Sequence, residues 1–310
     1  MDATAGISGA LGAEVIARVD PLRRGKSYAI DYGIGHLAND PPDVVIVIDA
    51  DCIPDSTCLR TIGALAFDLG RPVQAASEVL ITAKNPSSSM KLAAFAYRVK
   101  NIVRPRGLSY LGFPCQLMGT GMAFPWAAVS NRDLKSGALA EDLKLGLDLA
   151  LGGFAPKFCQ LARVTSAMPD STEGQKTQRA RWETGHVLVI AQCIPGVLLA
   201  SIRRRDLSLL AMALDAAVPP LAMQALAICS LMIVSLLTVH WGGSIAPLAV
   251  NGIAATFLCL AVYVAWWRVG KGTLSLRDLG GIPAYALAKL PLYGQILMGK
   301  RVPWIRTKRD

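Results

Sequence analysis

Residues 44–48 read Val-Val-Ile-Val-Ile, follow Pro41, Pro42 and Asp43, and run directly into Asp49, Ala50 and Asp51. An unbroken β-branched run between turn residues predicts a strand packed on both faces, as in a parallel sheet. Upstream, residues 1–12 read as a small helix ending near Gly12, and residues 14–19 as a short strand. Within 28–37, Ile30, Ile34 and Leu37 share one helical face. Pro54, Asp55 and Ser56 then open a helix that runs through Leu69, residues 72–76 continue as a strand, and 87–103 read as helix. The leucines at 143, 145, 147, 149 and 151 satisfy two periods at once. Alternate spacing permits a strand, but 143, 147 and 151 also share a helical face, so periodicity leaves both open.

Beyond residue 187 the pattern loses its polar positions. Residues 187–202 are apolar but short for a membrane span and interrupted by Pro195 and Gly196, which predicts an interfacial or re-entrant helix. Residues 207–241 are long enough to cross, yet Asp215 and the pair Pro219-Pro220 divide them, leaving 221–239 as the crossing segment. A second uncharged run covers 245–267, and the short link 240–244 makes the two a hairpin. Arg203, Arg204 and Arg205 precede it, and Arg268, Lys271 and Arg277 follow it. By the positive-inside rule both ends face the cytoplasm, with Trp241, Trp266 and Trp267 at the interfaces. Residues 281–298 are mildly apolar and predict a segment lying along the interface; the tail 300–310 is basic. The boundaries are therefore a catalytic-type domain over 1–186, an interfacial helix over 187–205, a two-helix transmembrane region over 206–267 and a cytoplasmic or interfacial tail over 268–310.

Composition sharpens this picture. The chain of 310 residues is 53% hydrophobic and only 17% charged, yet carries a formal charge of +10. Apolar excess segregated from basic flanks fits a membrane-attached protein better than a nucleic-acid binder, and no nucleic-acid motif is present. The 7 cysteines (52, 58, 115, 159, 193, 229, 259) contain no C-x-x-C pair, so neither a disulfide framework nor a zinc site follows. The 3 histidines are dispersed.

Candidate chemistry sits in a few polar clusters. Asp49 and Asp51 end the predicted strand, where ligands bind in open α/β sheets. A hard divalent cation takes oxygen ligands and commonly binds through one or two carboxylates plus substrate phosphates, so D-x-D suits a metal and a diphosphate. A solvated acidic loop is the bland alternative. Gly25, Lys26 and Ser27 fall short of a P-loop because position 20 is Asp. They leave a basic loop at a helix start, which either attracts anions or is ordinary solvated charge. Gly119, Thr120 and Gly121 permit close backbone approach to a ligand, or mark a bulge. Glu141 and Asp142 open the leucine-rich segment, as a helix-dipole pair or with Asp142 as a base. Gln178 faces Arg181 and Trp182 on a helix, a combination able to bind sugar and phosphate or merely to pack.

In order and spacing, Arg24-Gly25-Lys26, Asp49-Ala50-Asp51, Gly119-Thr120-Gly121, Glu141-Asp142 and Gln178-x-x-Arg181-Trp182 resemble the family 2 glycosyltransferases. The likeness is to the membrane-bound branch that includes cellulose, chitin, chitooligosaccharide and hyaluronan synthases, over residues 2–200. It implies an α/β GT-A fold, a mixed sheet flanked by helices, here followed by the interfacial helix and transmembrane hairpin. It also implies inverting transfer of a sugar from a nucleotide-diphospho-sugar, a UDP-sugar, to a saccharide or lipid-linked acceptor, with Mg²⁺ or Mn²⁺. By resemblance Lys26 contacts the nucleotide, Asp49 the nucleotide-sugar, Asp51 the metal and Arg181 the diphosphate. Gly119, Thr120, Gly121, Gln178 and Trp182 line the acceptor side, and Asp142 is the base. The implied site is on the inner face of a plasma membrane, in polysaccharide or glycolipid synthesis. The branch begins with two further strands, so the resemblance implies that this chain starts just after the second. That leaves a membrane-anchored, catalytically impaired scaffold as the alternative, beside a dehalogenase-like phosphatase with Asp49 as nucleophile and Asp51 as acid.

Overall fold

A computed structural model describes residues 3–23, 25–168 and 172–299; Arg24 of the basic loop and the basic tail 300–310 lie outside the described residues. The chain begins with α1 (Thr4–Ala10), α2 (Lys26–Leu37), β1 (Val44–Val47), β2 (Cys52–Pro54) and α3 (Cys58–Leu69). It continues through β3 (Val73–Leu80), α4 (Ser88–Arg98), a π-helical turn (Val99–Val103), α5 (Arg104–Tyr110), β4 (Met122–Pro125) and α6 (Trp126–Val129). α7 (Glu141–Leu151), β5 (Lys157–Ala167) and α8 (Thr172–Gln192) complete the first part. The remainder is helical: α9 (Ile194–Arg204), α10 (Leu207–Ala217), α11 (Leu221–His240) and α12 (Ala246–Ala265), a π-helical turn (Trp266–Gly270), then α13 (Leu276–Gly280), α14 (Ile282–Leu287) and α15 (Leu290–Leu297).

The strands form one mixed sheet, ordered β1-β4-β3-β5-β2, in which only β3 and β5 run parallel. The expected α/β fold with a helix-flanked mixed sheet is thus present. The β-branched run behaves differently from expectation in one respect. Both faces of β1 do pack: Val44, Ile46 and Ile48 onto the α3 side, Val45 and Val47 onto the other. But β1 pairs antiparallel with β4, Val45 opposite Phe124, and lies at the sheet edge, so its residues are only half-buried. A continuous apolar run reports that both faces are covered; it does not report the direction of the neighbouring strand. The short strand expected over 14–19 is not formed. It has no partner among the described strands, and Val15 and Val19 are exposed.

Two cores sandwich the sheet. Cys58, Ile62 and Ala66 of α3 pack on Val73, Ala75, Ala123 and Val164. On the opposite face Met122, Phe124 and Leu149 meet Ile30 and Ile34 of α2. The ambiguous leucine segment is helix because α7 lies between two apolar surfaces. Leu143 and Leu147 face α9 and α10, while Leu145 and Leu149 face the sheet.

α8 and α9 meet at a 45° bend, where Pro195 stands in the first turn of α9. Val189, Ile194 and Val197 are buried with Leu209, Met212 and Ala216 of α10, so this pair lies against α7. Asp215 explains why α10 is not part of the crossing segment. Its carboxylate accepts from the Arg104 guanidinium (2.6 Å) and from Gln116 Nε2 (2.6 Å). α11 and α12 are each long and apolar enough to cross a membrane, and their outer residues, such as Ile233, Val250 and Phe257, are exposed. Asn251 donates to Ser235 Oγ (2.8 Å), a polar clip between the two. The hairpin returns to the domain through Ala265 and Trp266, which pack on Leu92 and Phe95 of α4.

Candidate active site

The carboxyl end of β1 and the loops beside it gather the polar clusters. Lys26, the first residue of α2, bonds both the Asp49 carboxylate and the Gly119 carbonyl. The Asp49 backbone N–H donates to Thr120 Oγ1 (3.1 Å). One buried and one half-buried group, Gln74 and Glu141, hold this junction. Gln74 on β3 donates to the Thr120 carbonyl (2.8 Å) and accepts from the Met118 N–H (2.8 Å). Glu141 accepts from the Ser27 N–H (3.0 Å), fastening the first turn of α2 to that of α7. Burial pushes the Glu141 carboxyl up from its ordinary value, and the neighbouring Asp142 adds to the push.

Asp142 follows in the first turn of α7. A Cβ on Gly119, which has φ +86°, would lie 3.3 Å from its carboxylate, so the glycine lets the chain pass directly against that acid. Gly121 does something else. A Cβ there would stand 2.8 Å from Val164 and 3.1 Å from Ala75, within the packed sheet. On the far wall, α8 carries Gln178, Arg181 and Trp182, and the Trp182 ring rests on Tyr97 with centroids 5.8 Å apart. Gly185 sets how close α8 comes: a Cβ there would meet the Ala140 nitrogen at 2.7 Å.

These walls enclose a cleft of about 1120 Å³. Lys26, Asp49, Asp51, Gly119, Thr120, Asp142, Gln178, Arg181 and Trp182 all line it, whereas Gly121 does not. The cleft does not end at the domain. It extends past Lys100 to Leu221 and Ile228 of α11 and to Phe257 and Ala261 of α12.

The sequence model of a family described as "Glycosyltransferase like family 2" matches residues 2–185, more than half of the 310-residue chain. The chain belongs to that family. No curated protein matches it. Membership makes this a transferase that takes a nucleotide-sugar donor and an acceptor, and the dehalogenase-like alternative for Asp49 and Asp51 falls with it.

Glycosyltransferases of this family typically use a divalent metal. Ligand atoms of Asp49, Asp51 and Cys52 lie within 4.8 Å of one another. The two carboxylates fit a hard cation that completes its shell with phosphate oxygens and water. The Cys52 thiol does not belong to that set. Its soft sulfur is a poor match for a hard cation such as Mg²⁺ or Mn²⁺, which takes oxygen ligands.

The residues that sequence reasoning missed are those with no motif of their own. Gln74, Glu141 as a tether of α2, Tyr97 beneath Trp182, Lys100 and His186 all act through three-dimensional context. Only Glu141 carried a signal, its place beside Asp142 at a helix start.

Proposed function

We propose that this glycosyltransferase transfers a sugar, with inversion, from a UDP-sugar to a saccharide or lipid-linked acceptor at a membrane. The carrying observation is that the basic loop, the D-x-D, the Gly119–Thr120 segment, the α7 acid and the α8 cluster line one cleft. Lys26 and Arg181 are the cations for the nucleotide diphosphate, as hydrogen-bonding partners of its oxygens. Asp51, with Asp49, would hold Mg²⁺ or Mn²⁺, which neutralises the leaving diphosphate when bound. Asp142 takes the proton of the acceptor hydroxyl as that oxygen attacks the anomeric carbon. Trp182, 38% exposed, offers a stacking face to the acceptor, and Gln178, Gly119 and Thr120 line the same cleft. The two long apolar helices support a multi-pass placement, and the flanking arginines support a cytoplasmic cleft.

Calorimetric titration of the detergent-solubilised protein with UDP, with and without Mn²⁺, tests the donor site. Metal-dependent binding that disappears in Asp51→Ala is expected; equal binding with and without metal would remove the assignment of Asp51. Asp142→Asn is expected to keep UDP affinity and lose transfer by about 10²- to 10⁴-fold. Full transfer by that variant would remove Asp142 as the base.

A further inference from the structure

The π-helical turn Val99–Val103 carries Lys100 on the wall of the cleft. Lys100 is exposed, and it lines the cleft. It forms no hydrogen bond or ion pair with a described residue. Its nearest charges are Asp142, Arg104 and Asp215, and the last two already neutralise each other. Burial pushes the Lys100 ammonium down from its ordinary value while Asp142 supports it. A cation on the cleft wall with no described partner can pair with an anionic group that enters the cleft, through a charge-assisted hydrogen bond.

The neighbours of Lys100 fix its place along the cleft. Its charged neighbours include the proposed base, Asp142, and Asp215 near the end of α10, and the link from Val218 to Leu221 into α11 lines the same cleft. Beyond it the walls turn apolar. Along α11 the lining runs from Leu221 to Ile228, and along α12 from Ala254 to Ala265. At 1.5 Å per residue these stretches reach about 10 and 16 Å from the domain end of each helix. A bilayer's hydrocarbon core is about 30 Å thick, so the groove stops near its middle. Phe257 on its wall is 68% exposed, so protein does not cover the groove there. A passage for an exported polymer has to be lined along the whole span; this groove has the reach and the side opening of a site for hydrocarbon chains.

Resting on the transferase reading above, we infer that the acceptor is a phosphate-bearing membrane lipid, with its chains between α11 and α12, its phosphate on Lys100 and its hydroxyl-bearing head at Asp142. One cleft then offers an apolar wall, a cation and a base to a molecule that carries chains, a phosphate and a hydroxyl.

The test uses the full chain in detergent, with native mass spectrometry of bound dioleoylphosphatidylglycerol, dioleoylglycerol and glycerol 1-phosphate. These probes carry chains and phosphate, chains alone, and phosphate alone. The phospholipid is expected to bind about 10-fold or more tighter than either fragment, by the worth of a hydrogen bond to a charged group. Lys100→Met is expected to bring it level with dioleoylglycerol, and Lys100→Arg to restore most of the difference. Ala261→Trp, which fills the groove, is expected to weaken both lipids and leave glycerol 1-phosphate unchanged. Equal binding of phospholipid and dioleoylglycerol by the unaltered chain, or indifference to Lys100→Met, would overturn the site. So would glycerol 1-phosphate binding as tightly as the phospholipid. UDP binding measured in parallel separates the two readings. UDP bound without lipid discrimination overturns the lipid site alone, whereas lipid discrimination without UDP binding overturns the transferase reading and with it the acceptor role.

Discussion

Protonating His186, which is buried, would bring a second cation near Lys100. Its Nε2 lies 2.9 Å from the Ala216 carbonyl and donates to it. Burial, reinforced by Lys100, pushes its pKa down to about 4. Between the ordinary value near 6.5 and about 4, the unfolded chain binds a proton that the native ring refuses. The neutral ring's contribution is therefore complete above pH 6.5 and declines on acidification through that window. Stability should fall by on the order of 2 kcal/mol between pH 7 and pH 5. Denaturation at the two pH values should show a smaller difference in His186→Gln, whose amide can still donate to Ala216. Gly185→Ala is the second prediction at this scale. The added methyl meets backbone of residues 139 and 140, which cannot rotate away. We expect a loss of about 1–3 kcal/mol in thermal denaturation, together with weaker acceptor transfer, as α8 backs away from α7. Neither residue announces itself in the sequence. A lone histidine and a lone glycine acquire meaning only from what packs against them.

The helices show most clearly what a one-dimensional pattern contains. The two long apolar helices, the Asp215 interruption and the helix over 87–103 were legible, because a long apolar run and a 3.6-residue period are written in the sequence itself. Segment 141–151 was not, since its apolar residues serve cores on two sides, which leaves only a narrow polar stripe at Lys144 and Asp148 to mark its period. The direction of β1 was equally hidden; its alternate residues serve two cores, and its neighbour β4 is more than 70 residues away in sequence. Asp215 supplies a prediction for these elements. Asp215→Leu should destabilise the protein by about 3–5 kcal/mol, because it strands the Arg104 guanidinium between α5 and α10. The double variant with Arg104→Met should recover much of that loss in the same denaturation measurement. Asp278 gives a milder case. It closes a capping box with Ser275 and accepts from Ser88 Oγ of α4 (2.6 Å), so it ties α13 to the domain. Asp278→Ala should cost about 1–2 kcal/mol by thermal denaturation.

At the scale of the whole molecule, the polar end of the cleft was the readable part, because each of its clusters retains a motif wherever the chain carries it. The apolar end was not readable. Leu221, Ile228, Phe257 and Ala261 look like any membrane-facing residues until the fold sets them along the path from Asp142. On the proposed lipid-acceptor reading, one wall of the acceptor site belongs to α11 and α12, helices of 20 residues each. At about 30 Å they match an average hydrocarbon core, and a thinner or thicker bilayer makes such helices tilt. In vesicles whose acyl chains are progressively shortened or lengthened, the acceptor affinity should therefore pass through a maximum while UDP affinity stays level. The width of the acceptor groove becomes a property of the membrane as well as of the chain, so that the lipid environment sets the enzyme's selectivity mechanically.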